Sequence, residues 1–224
     1  MTAQTPTDDI RVEDALGVCG VREDTQLLAE VAAQRTQGPG RALDLGAGSG
    51  YVAIALARLG WDVDAVDISE RALEAARRNA GLNGVTPRIY RSDLFGSVEG
   101  CFDVIACNPP MRPDETEGSR LVTATLRRAP PVANLLMRVT QPFLERNRLD
   151  FLAHLASAAA PHLAPGGRLL LVISPQETAA LPGRVAALRL AGSEPVAGIP
   201  GLQVATFIFD PPGDSGQGND SEAQ

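Results

Sequence analysis

The run Asp44-Leu45-Gly46-Ala47-Gly48-Ser49-Gly50 has residue types suited to holding a ligand against the backbone. Its glycines permit a sharp turn and a close backbone approach. The dinucleotide fingerprint G-x-G-x-x-G would need a glycine at position 51, where Tyr51 stands. An acid two residues before the first glycine sits badly against a pyrophosphate. Asp44 suits a cation better, such as the ammonium or sulfonium of a methionine-like group. Asp67 closes the stretch WDVDAVDIS, with Ile68 after it. An acid there can accept both hydroxyls of a ribose. Asp93, in RSDLF, could receive an adenine amino group together with the backbone of Leu94.

Asn108-Pro109-Pro110 adds a second kind of chemistry. An amide or aromatic amine is a poor nucleophile because its lone pair is delocalised. Two acceptors can hold its N–H groups and aim that lone pair at a sulfonium methyl. Asn108 supplies a side-chain carbonyl and Pro109 a backbone carbonyl. Pro110 biases Pro109 toward an extended conformation, and neither proline brings a competing donor. Positioning of this kind can be worth roughly 7–11 kcal/mol. Met111 and Arg112 follow directly and would face the acceptor. A rigid turn after a buried strand is the bland alternative.

The elements that must position these residues alternate. Short apolar strands are expected at Arg41 to Leu45, Val63 to Asp67, Arg88 to Tyr90, Phe102 to Cys107, Arg168 to Ser174 and Gln203 to Asp210. Helical spacing falls at Asp24 to Ala33, Tyr51 to Leu59, Glu70 to Asn79 with Ser69 as N-cap, Phe151 to His162, and Gln176 to Leu190. Such alternation means an α/β fold, a parallel sheet with helices on both faces. Asp44, Asp67, Asp93 and Asn108 each follow a strand, at the edge where such sheets bind ligands.

With the glycine loop and Asn108-Pro109-Pro110 read together, the chain resembles class I S-adenosylmethionine-dependent methyltransferases. Within them it is similar to the HemK-like group, which methylates glutamine in release factors, and to relatives that methylate exocyclic amines of bases. The resemblance runs from about Val21 to Glu177. It includes VREDTQLLAE (Val21 to Glu30), RRNAGLNGV (Arg77 to Val85) and NRLDFLAHLASAAAPHLAPGGRLLL (Asn147 to Leu171). It implies a Rossmann-like, mostly parallel seven-stranded sheet with helices on both faces. It also implies S-adenosylmethionine as cofactor, held by Asp44, Gly46, Gly48, Gly50, Asp67, Ile68, Asp93, Leu94 and Asn108. Asn108, Pro109 and Pro110 would be catalytic, and Asn108, Pro109, Met111 and Arg112 would meet the acceptor. Three features depart from the group. Met111 stands where Tyr or Phe is usual, the N-terminal helical domain of bacterial release-factor enzymes has no counterpart before Val21, and Arg112 to Arg148 aligns with nothing in the group.

Composition bounds the remainder. The 224 residues suit one domain, 12–210, between disordered ends at 1–11 and 211–224. The net charge is -7 and all 20 basic residues are Arg, so tight nucleic-acid binding is not expected. Cys19, Cys101 and Cys107 show no metal spacing, and no metal is expected. They read as reduced thiols of a cytoplasmic protein, with no signal peptide or membrane span. The expected function is methyl transfer to an acceptor nitrogen, in a protein or peptide amide or a small amine. The rivals are a natural-product methyltransferase with an unrelated N or O acceptor, a base-modifying enzyme, and a non-catalytic cofactor-binding partner subunit. Arg112 to Arg148, with the apolar Pro130 to Leu144, would be a lid over the acceptor or pack a homodimer interface.

Overall fold

The computed structural model of the chain describes residues 7, 9–34, 39–109 and 148–209. In chain order these form α1 (Glu23–Gln34), β1 (Arg41–Leu45), α2 (Tyr51–Arg58), β2 (Asp62–Asp67), α3 (Glu70–Leu82), β3 (Arg88–Arg91) and β4 (Phe102–Cys107). The helix α4 spans 148–159 and runs into a 3₁₀ turn, Ala160–His162. Then come β5 (Leu163–Ile173), α5 (Pro175–Ala180), β6 (Leu188–Pro195) and β7 (Gln203–Phe209).

The strands form one seven-stranded sheet in the order β3-β2-β1-β4-β5-β7-β6. All neighbours pair in parallel except at β7, which runs antiparallel to both β5 and β6. The central strands are buried on both faces, so their apolar residues alternate between two cores. Ala42, Val104, Ala106, Leu170 and Val172 face the core under α1 and α2. Leu43, Ile105, Cys107, Leu169 and Leu171 face the core under α4. This two-sided burial explains the unbroken apolar runs in the sequence. Strand order reverses between β1 and β4, which places the ligand-binding crevice beyond the carboxyl ends of those two strands.

Caps fix where the helices begin. Ser69 Oγ accepts from the Ala72 N–H at the head of α3. A capping box formed by Ser174 and Glu177 opens α5, and Glu177 also pairs with Arg148 at the start of α4. Among the described residues no helix is long and apolar enough to cross a membrane.

One expectation needs correction. Gln176 to Leu190 is not one helix: α5 ends at Ala180, Ala187 takes a left-handed φ of 60°, and Leu188 begins β6. Residues 9–11 are among those described. Ile10 packs on the core under α1 and α2, and the Arg11 backbone N–H donates to Asn83 Oδ1 at 3.0 Å. Residues 211–224, Pro110, Met111, Arg112 and Pro130 to Leu144, for which roles were expected above, lie outside the described residues.

Candidate active site

The turns after β1, β2, β3 and β4 surround a cavity of about 420 Å³. A smaller compartment of about 80 Å³ adjoins it and shares Cys19, Gly46, Gly48 and Asn108 as walls. The residues expected to bind cofactor divide between them. Asp67, Ile68, Asp93 and Leu94 line the large compartment with Pro109, whereas Asp44 lines the small one with Thr25.

The glycine loop is stitched to the end of β2. The N–H groups of Gly46 and Ala47 both donate to the Val66 carbonyl, at 2.8 and 2.9 Å. Gly48 N–H donates to Asp67 Oδ2 at 3.0 Å, and Ser69 N–H donates to Asp67 Oδ1 at 2.8 Å. Each Asp67 oxygen therefore keeps a lone pair for a ligand. Gly48 holds a φ of 53°, and a Cβ there would meet no protein atom within 4 Å, so its open side faces the crevice. Gly50 differs. It lines neither compartment, and a Cβ there would lie 2.9 Å from the Ala76 Cβ. Its missing side chain lets α3 pack against the loop.

Asp44 is 3% exposed and accepts one N–H, from Ala53 at 3.0 Å. Burial pushes its carboxyl up to about 7; the Ala53 N–H pulls it back and the neighbouring Asp67 charge adds to the rise. A buried acid of this kind in a small compartment is suited to a cationic partner. After β3, the Ser92 hydroxyl donates to the Leu94 carbonyl at 2.8 Å and accepts from the Ser97 N–H at 3.0 Å. This holds Leu94 in a left-handed turn, φ 45°, with the Asp93 side chain at the cavity wall.

Asn108 directly follows β4, where both compartments meet. Its Nδ2 donates to Thr25 Oγ1 at 3.3 Å. Thr25 in turn is held by the buried Asp24 carboxylate. Asp24 accepts from Arg22 at 3.0 Å, from the Thr25 N–H at 2.8 Å and from the Thr25 hydroxyl at 3.3 Å. Burial alone would raise its carboxyl, but these hydrogen bonds outweigh it and hold the group below the ordinary carboxylate range. Among the described residues no hydrogen bond engages Asn108 Oδ1, and Asn108 lines both compartments.

Two walls were not legible as site residues. Gly17, Val18 and Cys19 line the large compartment, held there by an N-terminal segment whose Glu13 N–H donates to Asn79 Oδ1 at 2.9 Å. Asn79 Nδ2 in turn donates to the Ser49 carbonyl at 2.9 Å, tying the segment to the glycine loop. Phe151 and Leu155 of α4 supply apolar surface opposite. The only sequence signal was RRNAGLNGV, whose Asn79 and Asn83 both reach this segment. Cys107 is fully buried with its thiol pushed up, chiefly by burial, and is no nucleophile. Among the described residues no His, Cys, Asp and Glu group could hold a metal ion.

The residues fit S-adenosylmethionine. Open glycine backbone, a buried acid for a cation, a two-lone-pair acid for a diol and an apolar slot match its parts in one crevice. The fold is that of class I S-adenosylmethionine-dependent methyltransferases. The T. thermophilus 16S rRNA N2 methyltransferase RsmC, solved with AdoMet and guanosine, superposes with a TM-score of 0.59 at 21% identity, over 87% of this chain and 44% of that one. Residues 19–136 match the methyltransferase small domain, and the chain belongs to that family. It is 30% identical over 197 residues to the release factor glutamine methyltransferase of Deinococcus radiodurans, covering 86% of this chain and 66% of that one. It is 34% identical over 92 residues to the ribosomal RNA small subunit methyltransferase C of Alcanivorax borkumensis, covering 41% of this chain and 28% of that one. The chain thus spans between 28% and 66% of the length of these two curated relatives.

Proposed function

We propose that this chain is an S-adenosylmethionine-dependent methyltransferase whose acceptor is a nitrogen on a planar carbon, in a protein or peptide amide or a small amine. One observation carries the choice of nitrogen. The Asn108 Nδ2 is engaged by the Thr25 hydroxyl, which Asp24 holds in turn, and its carbonyl oxygen has no hydrogen-bond partner among the described residues. Two acceptors side by side fit a group with two N–H bonds, not an oxygen with one.

In this reading Asp44 holds the cofactor's ammonium end, Asp67 its ribose hydroxyls, and Asp93 with the Leu94 backbone its adenine, between Ile68 and Leu155. When bound, the cofactor supplies an electrophilic methyl group. Asn108 Oδ1 and the Pro109 carbonyl hold the acceptor N–H groups and turn the lone pair toward it. The nitrogen becomes acidic only as its bond to the methyl forms; Asn108 Oδ1 and the Pro109 carbonyl hold its two N–H bonds until then, and one of those protons passes to water once the methyl has moved. No strong base is required, and the gain comes from positioning in a water-poor crevice. The named relatives accord with this. One is named for glutamine and the other structure for N2 of 16S rRNA. Both nitrogens sit on planar carbons.

Incubation with methyl-labelled S-adenosylmethionine and three acceptors, a glutamine-containing peptide, guanosine and a catechol, tests the reading. Label on the peptide's glutamine nitrogen is expected, and label confined to guanosine would favour a base-modifying enzyme. Label confined to the catechol oxygen would favour a small-molecule O-acceptor instead.

A further inference from the structure

An asparagine side chain has two ends of nearly equal size, one accepting and one donating. A half-turn about χ2 exchanges them and would present N–H groups to an acceptor that itself carries N–H groups. Something must therefore fix which end of Asn108 faces the crevice, and the backbone of β4 does not. We infer that Asp24 is a positioning residue for the transfer, holding Asn108 in the one orientation that leaves its carbonyl toward the acceptor, with Thr25 as its relay. This inference rests on the functional reading above.

The geometry of α1 supports it. Asp24 is 3% exposed, yet its carboxylate lines neither compartment. It lies 84 residues before Asn108 in the chain, in the first turn of a different element. An ionised carboxylate has acceptor sites and no donor. Arg22 at 3.0 Å keeps it ionised. Its acceptor sites draw the Thr25 hydroxyl proton. Turned around, the Asn108 carbonyl would meet a hydroxyl whose proton is already committed to Asp24, and the hydrogen bond to Thr25 would be lost. Thr25 completes the set, because its hydroxyl has one proton. That proton goes to Asp24 Oδ1 at 3.3 Å, so its oxygen can only accept from Asn108 Nδ2, also at 3.3 Å. Every donor in the chain thus points from Asn108 toward Asp24.

The test combines a spectroscopic and a kinetic readout on the full chain. The side-chain NH₂ signals of Asn108 are assigned in ¹⁵N-labelled protein by their loss in Asn108→Ala. In the wild type, with S-adenosylhomocysteine as the probe ligand, they should be shifted and protected from exchange. Asp24→Asn and Thr25→Val should each move them toward free-amide positions. Turnover on the best nitrogen acceptor, measured at saturating S-adenosylmethionine, should drop about tenfold or more at unchanged acceptor KM. Thr25→Ser, which keeps the hydroxyl, should restore both. Signals that stay put in Asp24→Asn and Thr25→Val, or move without loss of turnover, would overturn the inference. If Asp24→Asn does not fold, the Thr25 pair decides alone. Failure of the functional reading looks different: the wild type would transfer no methyl to nitrogen while its Asn108 signals still respond to Asp24.

Discussion

The N–H of Gly48 donates to Oδ2 of Asp67 at 3.0 Å, so the loop after β1 is positioned by the acid at the end of β2. Asp67 therefore both shapes the glycine loop and offers its remaining lone pairs to a ligand. Asp67→Ala should weaken S-adenosylhomocysteine binding by roughly 1.5–3 kcal/mol for each ribose hydrogen bond lost. Calorimetry measures this directly, and an unchanged affinity would place the ribose elsewhere.

Asp44 makes binding sensitive to pH. Its folded carboxyl sits at about 7, above its unfolded value near 3.8. The ligand-free protein therefore binds more protons than the unfolded chain between those values. The stability Asp44 contributes is present in full below its unfolded pKa and is lost as pH rises through about 7. A ligand ammonium beside it favours the carboxylate, so binding should release a proton near neutrality. Affinity for S-adenosylhomocysteine should rise with pH up to about 7 and then level off. Calorimetry in two buffers of different ionisation enthalpy will show this proton. Equal heats and a flat pH profile would remove Asp44 from the ammonium site, and Asp44→Asn should abolish the dependence.

Gly50→Ala is expected to harm stability more than binding. The position holds φ 81° and a Cβ would press on the Cβ and backbone of Ala76, at 2.9 and 3.1 Å. The left-handed backbone costs about 1–2 kcal/mol and the overpacking of α3 about 1–3 more. Gly48→Ala meets no protein atom, so it should cost only the backbone share in stability and act instead on cofactor affinity. Thermal unfolding of both variants, with and without S-adenosylhomocysteine, separates the two roles.

The sequence was legible where function sits at strand ends. Asp44, Asp67, Asp93 and Asn108 each close an apolar run, and a parallel sheet brings such ends to one edge whatever lies between. It was misleading where a residue's role depends on what it packs against. Gly50 belongs to the glycine-rich run by position but serves the contact with Ala76. β6 is an edge strand with mostly exposed residues and a register shift between Leu190 and Gly192, so neither a period of two nor an apolar run marks it. The break before it falls at Ala187, a strong helix former held at positive φ. The link from Asp24 through Thr25 to Asn108 was hidden because 83 residues separate Thr25 from Asn108 in the chain. The N-terminal wall of the cavity was hidden for the same reason: Asn79 reaches back 66 residues to Glu13.

The most direct test of the account is Asn108→Ala, assayed beside the wild type for methyl transfer to the nitrogen acceptor and for S-adenosylhomocysteine affinity. Loss of the positioning carbonyl should lower turnover about a hundredfold or more while affinity changes by no more than a few fold. An Asn108→Ala protein that methylates nitrogen at a near-normal rate would contradict the account and leave the turn after β4 with a structural role alone.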